Sequence, residues 1–249
     1  MRTMIRIWAK AGLALLALAG AAQADTCRMT DHDGQSYAIC EVAAGEGLQL
    51  FLTGTDGRPM GTFDRLRDQV EAGGERLVFA MNAGMYHPDR APVGLFVENG
   101  REVATIVTRE GPGNFGLLPN GVFCIGEDGF AVEESRAFAI APPDCAYATQ
   151  SGPMLVIDDA LHPRFLPDSD SRYIRNGVGI STDGQRAVFA ISDAPVTFHE
   201  FARLFRDGLG LPNALYFDGK VSRLYAPEIG RDDIGFPMGP MVGLVVPGR

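Results

Sequence analysis

The chain has 249 residues, of which 46% are hydrophobic and 21% are charged, and its formal net charge at pH 7 is −9. These fractions are those of an ordinary globular protein and exclude intrinsic disorder, collagen-like repeats and a coiled coil. The excess of acidic residues argues against nucleic acid and anionic membrane surfaces as partners, because cations dominate the affinity for phosphate backbones.

The first 24 residues are predicted to be a cleaved secretory signal. Basic residues precede the apolar run 11–19, and the small residues Ala22 and Ala24 stand at positions −3 and −1 of a cleavage site after Ala24. The run is shorter than the ~20 residues that cross a bilayer, so no stable membrane insertion is expected. The mature protein would be a single domain of residues 25–249, periplasmic or secreted, with 19 basic and 31 acidic residues.

Apolar and β-branched runs bounded by turn residues predict a domain rich in strands. Asn-Gly or Asp-Gly pairs that begin at Asn99, Asn120, Asp128 and Asp183 indicate tight hairpin turns, since Asn and Asp tolerate left-handed backbone and Gly has no Cβ. The predicted strands, in chain order, are Leu48–Thr53, Leu77–Asn82, Val93–Glu98, Glu102–Thr108, Asn114–Leu118, Gly121–Ile125, Phe130–Glu133, Met154–Ile157, Val178–Thr182, Arg186–Ser192, Ala214–Phe217 and Met241–Val246.

Two segments have the periodicity of a helix. One apolar stripe runs from Phe63 to Val70 and ends at a Gly-Gly pair, and a second runs from Phe198 to Leu209 behind a Thr-x-x-Glu capping box at Thr197. Many hairpins, few helices and no strict βαβ alternation predict an α+β fold, a single domain with a largely antiparallel sheet and a few packed helices.

Four cysteines in an exported chain indicate two disulfides, for which three pairings are possible. The pairs Cys27–Cys40 and Cys124–Cys145 are favoured because each closes a short loop that contains turn residues. No Cys-x-x-Cys or His-x-x-x-His spacing supports a zinc site. Neither a metal nor another cofactor is expected.

Polar residues stand beside glycines at the ends of several predicted strands, where a ligand can approach the backbone closely. The segments are 81–87 (Met-Asn-Ala-Gly-Met-Tyr-His), 148–155 (Ala-Thr-Gln-Ser-Gly-Pro-Met-Leu), 175–180 (Arg-Asn-Gly-Val-Gly-Ile) and 214–223 (Ala-Leu-Tyr-Phe-Asp-Gly-Lys-Val-Ser-Arg). Each alone is also typical of a capped turn or a surface loop, and no P-loop, nucleophile elbow or metalloprotease motif accompanies them.

Together, in this order and with the segments 92–95, 113–115 and 119–123, these motifs resemble the phosphodiester glycosidase family from about Tyr37 to Val246. The resemblance implies hydrolysis of a sugar-1-phosphodiester at its anomeric carbon. The substrate would be a small molecule or glycan that carries phosphate, in an envelope or exopolysaccharide glycoconjugate. Where the family has Asn-Gly-Gly-Tyr-Phe and Asp-Gly-Gly-Gly-Ser-Ser, this chain has bulkier residues at several glycine positions, which motivates a second hypothesis of a non-catalytic glycan-binding protein on the same fold.

For this reaction the candidate catalytic residues are Asp218, Arg175 and Asn82. Arg175 would bind two phosphate oxygens through its guanidinium, and Asp218 would be a base, a nucleophile or an electrostatic stabiliser. A phosphate monoester leaves as an anion, so the site needs less general acid than an ordinary glycosidase. The candidate substrate-binding residues are Gly84, His87, Ser151, Gly152, Asn176, Gly219 and Ser222.

Two further hypotheses have only residue type in their favour. A serine hydrolase could use Ser151 with His87 or His162. A metal could bind the acidic clusters at 158–159, 168–170 or 232–233, although such runs are more often solvated loops.

Overall fold

The computed structural model describes residues 25–248, so the predicted secretory signal lies outside the described residues. The strands are β1 Cys27–His32, β2 Gln35–Ala43, β3 Leu48–Phe51, β4 Glu75–Asn82, β5 Phe96–Glu98, β6 Arg101–Ala104, β7 Gly121–Gly126, β8 Gly129–Glu134, β9 Tyr147–Ser151, β10 Met154–Ile157, β11 Ala160–Leu161, β12 Asn176–Ile180, β13 Arg186–Ser192, β14 Asn213–Asp218, β15 Leu224–Ala226, β16 Arg231–Asp232 and β17 Met241–Pro247. The helices are α1 Phe63–Ala72, α2 Ser135–Ile140 and α3 Phe198–Arg203, with a π-helical turn at Leu204–Gly208 and a 3₁₀ turn at Pro227–Ile229.

The strands form three sheets. Seven strands pair in the order β1-β2-β13-β12-β14-β10-β11, five in the order β16-β15-β4-β17-β3, and five in the order β6-β5-β9-β7-β8. Every strand pair in the described part of the chain is antiparallel. The predicted α+β class, a mostly antiparallel domain with few helices, is therefore confirmed.

A shared aromatic core joins the sheets, because each contributes at least one buried phenylalanine to it. Phe189 of β13 lies 5.5 Å from the ring of Phe79 in β4 and 5.7 Å from the ring of Phe123 in β7, measured between centroids. All three side chains are fully buried. Rings packed in this way fix the positions of the sheets relative to one another. The polar strand ends keep their arrangement only while the sheets are held in this way.

Helices cover the outer faces of two sheets. The apolar stripe of α1 packs its Phe63, Leu66 and Val70 side chains on the five-stranded sheet that contains β4. The helix α3 and the turn after it bury Phe201 and Phe205 against the seven-stranded sheet. Both predicted helices are confirmed, as is the capping box of Thr197. No helix among residues 25–248 has the length and apolar character that a membrane span requires.

Two predictions about turns and strands were wrong. Residues 114–118 form a turn instead of a strand: the Leu117 N–H donates to the Asn114 carbonyl at 3.2 Å. Asn120 does not begin a hairpin, because its buried amide donates to the Phe115 carbonyl at 2.8 Å and holds this loop in place. The hairpin of β1 and β2 was missed, although an Asp33-Gly34 turn with positive φ at both residues joins its strands.

The two favoured disulfides are both present. Cys27 and Cys40 face each other across β1 and β2, with Cα atoms 4.0 Å apart. Cys124 and Cys145 connect β7 to the segment before β9, with Cα atoms 5.6 Å apart. The bridges thus secure the edge of the seven-stranded sheet and one five-stranded sheet.

Candidate active site

The ends of strands from two sheets meet beside an open cleft of about 620 Å³. The last residue of β14, Asp218, faces Asn176, the first residue of β12, in the seven-stranded sheet. Asn82, the last residue of β4, reaches Asn176 from the neighbouring sheet. The cleft is lined by residues 85–86 with Val93, by 112–115, by Ser171 with Tyr173, and by Tyr216 with 218–221.

Asp218 supplies the only carboxylate, and Lys220 the only ammonium, among the residues that line this cleft. One oxygen of Asp218, Oδ1, accepts hydrogen bonds from the backbone N–H groups of Gly219 at 2.5 Å and Lys220 at 2.8 Å. Burial raises the pKa of Asp218 above its ordinary value of 3.8, although these N–H groups act in the opposite direction. The cleft therefore offers one oriented carboxylate that is ionised at neutral pH less readily than an exposed one.

Asn82 and Asn176 form a buried pair of side-chain amides. The Asn176 amide nitrogen donates to the Asn82 side-chain oxygen at 3.1 Å and to the Asn82 carbonyl at 2.7 Å, and the Asn82 amide nitrogen donates back to Asn176 Oδ1 at 3.2 Å. Both residues are fully buried. In this structure the predicted catalytic Asn82 and the predicted ligand Asn176 bind each other, and neither amide lines the cleft.

The same amide pair holds the chain that follows Asp218. Ser222 Oγ lies 3.1 Å from Asn176 Oδ1 and 2.8 Å from the carbonyl of Asp218. The backbone N–H of Arg223 donates to Asn82 Oδ1 at 2.9 Å. The turn that presents the carboxylate is consequently anchored to two different sheets.

Arg175 lies behind the wall of the cleft instead of on its surface. Its side chain is fully buried, and the guanidinium carbon stands 3.7 Å from the centre of the Phe198 ring. Nε donates to the Val196 carbonyl at 2.8 Å, Nη2 to the Ser171 carbonyl at 2.9 Å, and Nη1 to the Tyr216 hydroxyl at 3.4 Å. Burial lowers the pKa of Arg175.

No carboxylate comes within salt-bridge distance of Arg175 in the described structure. The predicted direct hydrogen bonds from Arg175 to phosphate do not match this geometry, because Tyr173 and Tyr216 separate the guanidinium from the cleft. The guanidinium nonetheless contacts Tyr216 and Ser171, which line the cleft, and no carboxylate of the described residues neutralises its charge.

The other predicted ligands divide between the cleft and its supports. Gly219 lines the cleft. Ser151 is fully buried, and its hydroxyl donates to the Phe217 carbonyl at 3.0 Å, so it links β9 to β14. Gly152 packs against Asn120 and Gly84 against the Thr149 side chain, where a Cβ would lie 2.5 Å and 3.0 Å from its nearest neighbour.

Within residues 25–248, neither the histidines proposed for a serine hydrolase nor the acidic clusters proposed for a metal form such a site. His87 is exposed in a turn and does not line the cleft. His162 is buried against Phe165, and Ser151 donates to backbone, so no histidine activates that serine. No group of three or more His, Cys, Asp or Glu side chains within residues 25–248 has the arrangement of a metal site.

Sequence reasoning missed the aromatic residues of the cleft. Tyr216 lies inside an apolar strand and Tyr173 in an irregular loop, so both look like ordinary core or surface aromatics. One signal was present: residues 216 and 218 are two apart in β14, and side chains at that spacing point to the same face of a strand.

The comparisons with known proteins identify the family to which the cleft's strands belong. The family model described as phosphodiester glycosidase matches residues 75–232, which include β4, β12 and β14 with Asn82, Asn176 and Asp218. A curated protein of Escherichia coli (strain K12), "Uncharacterized protein YigE", is 34% identical over 205 residues, or 82% of this chain and 80% of that protein.

Two solved structures share the fold. The catalytic domain of zebrafish N-acetylglucosamine-1-phosphodiester alpha-N-acetylglucosaminidase, auto-inhibited by its pro-peptide, aligns with a TM-score of 0.59 at 13% identity, over 88% of this chain and 81% of that domain. A hypothetical protein from Synechocystis aligns with a TM-score of 0.57 at 14% identity over 88% of this chain, which spans only 61% of that protein. Because the family model covers well over half of the chain and includes the strand ends that build the cleft, this protein belongs to the phosphodiester glycosidase family.

Proposed function

We propose that this protein is an exported hydrolase that cleaves the bond between the anomeric carbon of a sugar and the phosphate oxygen of a sugar-1-phosphodiester, in an envelope or exopolysaccharide glycoconjugate. The observation that carries the proposal is the single carboxylate among the residues that line the cleft. An ordinary glycosidase needs two carboxyl groups, because an alkoxide must be protonated as it leaves. A phosphate monoester leaves as a stable anion, so one carboxylate suffices.

Asp218 is the group that acts on the sugar in this proposal. As the C1–O bond breaks, its electron pair passes to the phosphate oxygen and positive charge develops on the sugar ring. The carboxylate of Asp218 stabilises that charge and accepts a proton from the water that attacks C1. The backbone N–H groups of Gly219 and Lys220 fix its orientation, so little reorganisation is needed during the reaction.

Positive charge on the same side of the cleft supports phosphate binding. The Lys220 ammonium is exposed at the cleft, and Arg175 adds a buried charge behind its wall. A cation without an anionic partner in a low-dielectric setting acts over a longer range than an exposed one. Asn82, Ser151, Asn176 and Ser222 act in this proposal as supports of the backbone that presents Asp218.

The test is turnover of a panel of sugar-1-phosphodiesters by the mature protein, with and without a chelator, measured as released sugar. N-Acetylglucosamine-1-phosphodiesters are the first choice, because the zebrafish structural neighbour is named for them. Asp218→Asn should reduce kcat by about 10²–10⁴, the usual contribution of a positioned general acid or base. The matched control is Asp128→Asn, since Asp128 also precedes a glycine, in the turn between β7 and β8, but lies outside the cleft.

Three outcomes decide between the hypotheses. Turnover that Asp218→Asn abolishes and Asp128→Asn preserves supports the proposed enzyme. Turnover that survives in Asp218→Asn within a few-fold excludes Asp218 from the mechanism. Saturable binding of the diesters without released sugar would instead establish a glycan-binding protein on the enzyme's fold.

A further inference from the structure

The hydroxyl group of Tyr216 occupies the point where the buried cation, the carboxylate turn and the cleft meet. Tyr216 lines the cleft, although its side chain is fully buried. Its ring is fixed by an edge-on contact with Phe198, with centroids 4.7 Å apart. The ring therefore cannot reorient without disturbing the packing that also holds Arg175.

The hydrogen bond from Arg175 uses the oxygen of this hydroxyl and not its proton. Arg175 can only donate, so at the 3.4 Å contact with Nη1 the tyrosine oxygen accepts. Burial raises the pKa of Tyr216, while the charge of Arg175 and a hydrogen bond with the Asn114 side chain act in the opposite direction. With its pKa raised, the hydroxyl stays protonated at neutral pH and is a donor beside Asp218.

Gly219 provides independent evidence that the hydroxyl belongs at this position. Gly219 is not among the residues with positive φ, so the turn does not require glycine for its backbone. A Cβ at residue 219 would lie 2.3 Å from the Tyr216 hydroxyl oxygen but 3.5 Å from the adjacent ring carbon. The missing side chain of Gly219 therefore makes room for the hydroxyl group itself.

We propose that the Tyr216 hydroxyl, held in place by Arg175, donates a hydrogen bond to the substrate's phosphate and is a catalytic residue of this site. This inference rests on the proposed function and adds to it a donor that no motif had indicated. When the C1–O bond breaks, the phosphate gains negative charge, and the tyrosine donates to that charge without giving up its proton. Arg175 is then a positioning residue that acts through Tyr216.

The experiment is a double-mutant cycle of Tyr216→Phe and Gly219→Ala, measured on a hydrolysed diester of the panel. Tyr216→Phe should lower kcat/KM by about 10²-fold, mainly through kcat, as expected when one preorganised donor is removed. Gly219→Ala should lower kcat/KM and the melting temperature, because its methyl group displaces the hydroxyl. In the Tyr216→Phe background the same Gly219→Ala change should lower the melting temperature less than it does in the wild type. It should also cost no further activity, since the methyl group then has room.

The control for a deleted buried hydroxyl is Tyr37→Phe, because Tyr37 is also fully buried but packs against Phe201 away from the cleft. It should leave kcat/KM unchanged. Activity of Tyr216→Phe within threefold of the wild type overturns the inference and leaves the proposed hydrolase intact. Fully additive effects of Tyr216→Phe and Gly219→Ala on kcat overturn it as well.

A binding measurement separates this inference from the proposed reaction. If the wild type hydrolyses no diester, the proposed function fails. The contact between Tyr216 and phosphate is then tested by the affinity for the methyl diester of N-acetylglucosamine-1-phosphate. A loss of about tenfold in affinity on Tyr216→Phe would support the phosphate contact. Equal affinities, or no binding by either protein, would overturn it.

Discussion

The amide pair of Asn82 and Asn176 gives the sharpest prediction about what holds the site together. Asn176→Ala leaves the Asn82 amide nitrogen buried without its acceptor, which costs about 1–3 kcal/mol. The lost amide group also leaves a cavity, which adds about 1 kcal/mol. We expect Asn176→Ala, and Asn82→Ala by the same reasoning, each to lower the free energy of unfolding by about 3 kcal/mol.

The double variant should be less unstable than the two single variants together. Once both amides are absent, neither leaves the other unsatisfied, so the Asn82→Ala, Asn176→Ala protein should lose about 4 kcal/mol instead of 6. The coupling of about 2 kcal/mol lies in the range found for residues that share hydrogen bonds. Urea denaturation with unchanged m-values measures it, and each single variant should also melt about 6–12 °C lower.

The control pairs Asn82→Ala with Asn213→Ala. The Asn213 side chain accepts a hydrogen bond from the Asp158 backbone at the opposite end of β14, so its effect should add to that of Asn82→Ala within about 0.5 kcal/mol. If the Asn82 and Asn176 variants are equally additive, the reciprocal amide bonds do not exist as described. The support that we assign to the Asp218 turn would then have to come from Ser222 alone.

Three further predictions concern the charges and the packing of the cleft. Because burial raises the pKa of Asp218 above 3.8, the acidic limb of a kcat/KM profile should lie above that pH and disappear in Asp218→Asn. A carboxyl group whose pKa is raised on folding stabilises the protein at low pH, and this stabilisation is lost as the pH rises through the folded-state pKa. Asp218→Asn should therefore melt at a higher temperature than the wild type at pH 7 and at the same temperature at pH 3. A lower melting temperature of the variant at pH 7 would contradict the burial argument. Lys220→Gln should raise KM about tenfold, or about 1.4 kcal/mol, and weaken its dependence on salt, whereas an unchanged KM would show that the ammonium does not contact phosphate. Gly94→Ala should lower both stability and activity, because a Cβ there would lie 2.3 Å from Gln150 Oε1 and 2.6 Å from the ring of Phe115, which lines the cleft. Normal melting with normal turnover would refute that packing.

Local sequence signals predicted most of the elements and both disulfides. Alternating or continuous apolar runs gave β7, β12 and β13, and the capping box at Thr197 gave the start of α3. These signals succeed because each depends on residues a few positions apart. The segment 114–118 failed because its apolar residues pack into a loop that Asn120 ties down from outside the segment.

Sequence reasoning named several residues that the fold brings close together, but it did not predict which of them line the cleft. Asn82, Arg175 and Asp218 do converge from distant parts of the chain, and Tyr216 connects the last two. Which of them faces solvent depends on the crossing of two sheets, and no local pattern records it. A buried arginine and an exposed one look alike in a sequence, so the guanidinium that seemed fit to hold phosphate turned out to be enclosed by Phe198 and two tyrosines.

The departures of this chain from the family's glycine-rich motifs act at different depths of the site. Ala83 is buried and does not line the cleft, and its carbonyl accepts a hydrogen bond from the Thr149 hydroxyl at 2.7 Å, so its methyl group packs inside the protein. Lys220 and Val221 instead line the cleft next to the carboxylate. A difference in substrate between this protein and glycine-rich family members should therefore originate at residues 220–221, where an ammonium and a branched side chain stand over a turn that is otherwise bare backbone. Asp218 and Asn82 are retained in this chain, so under the proposed function the same chemistry would serve a differently shaped sugar or alcohol.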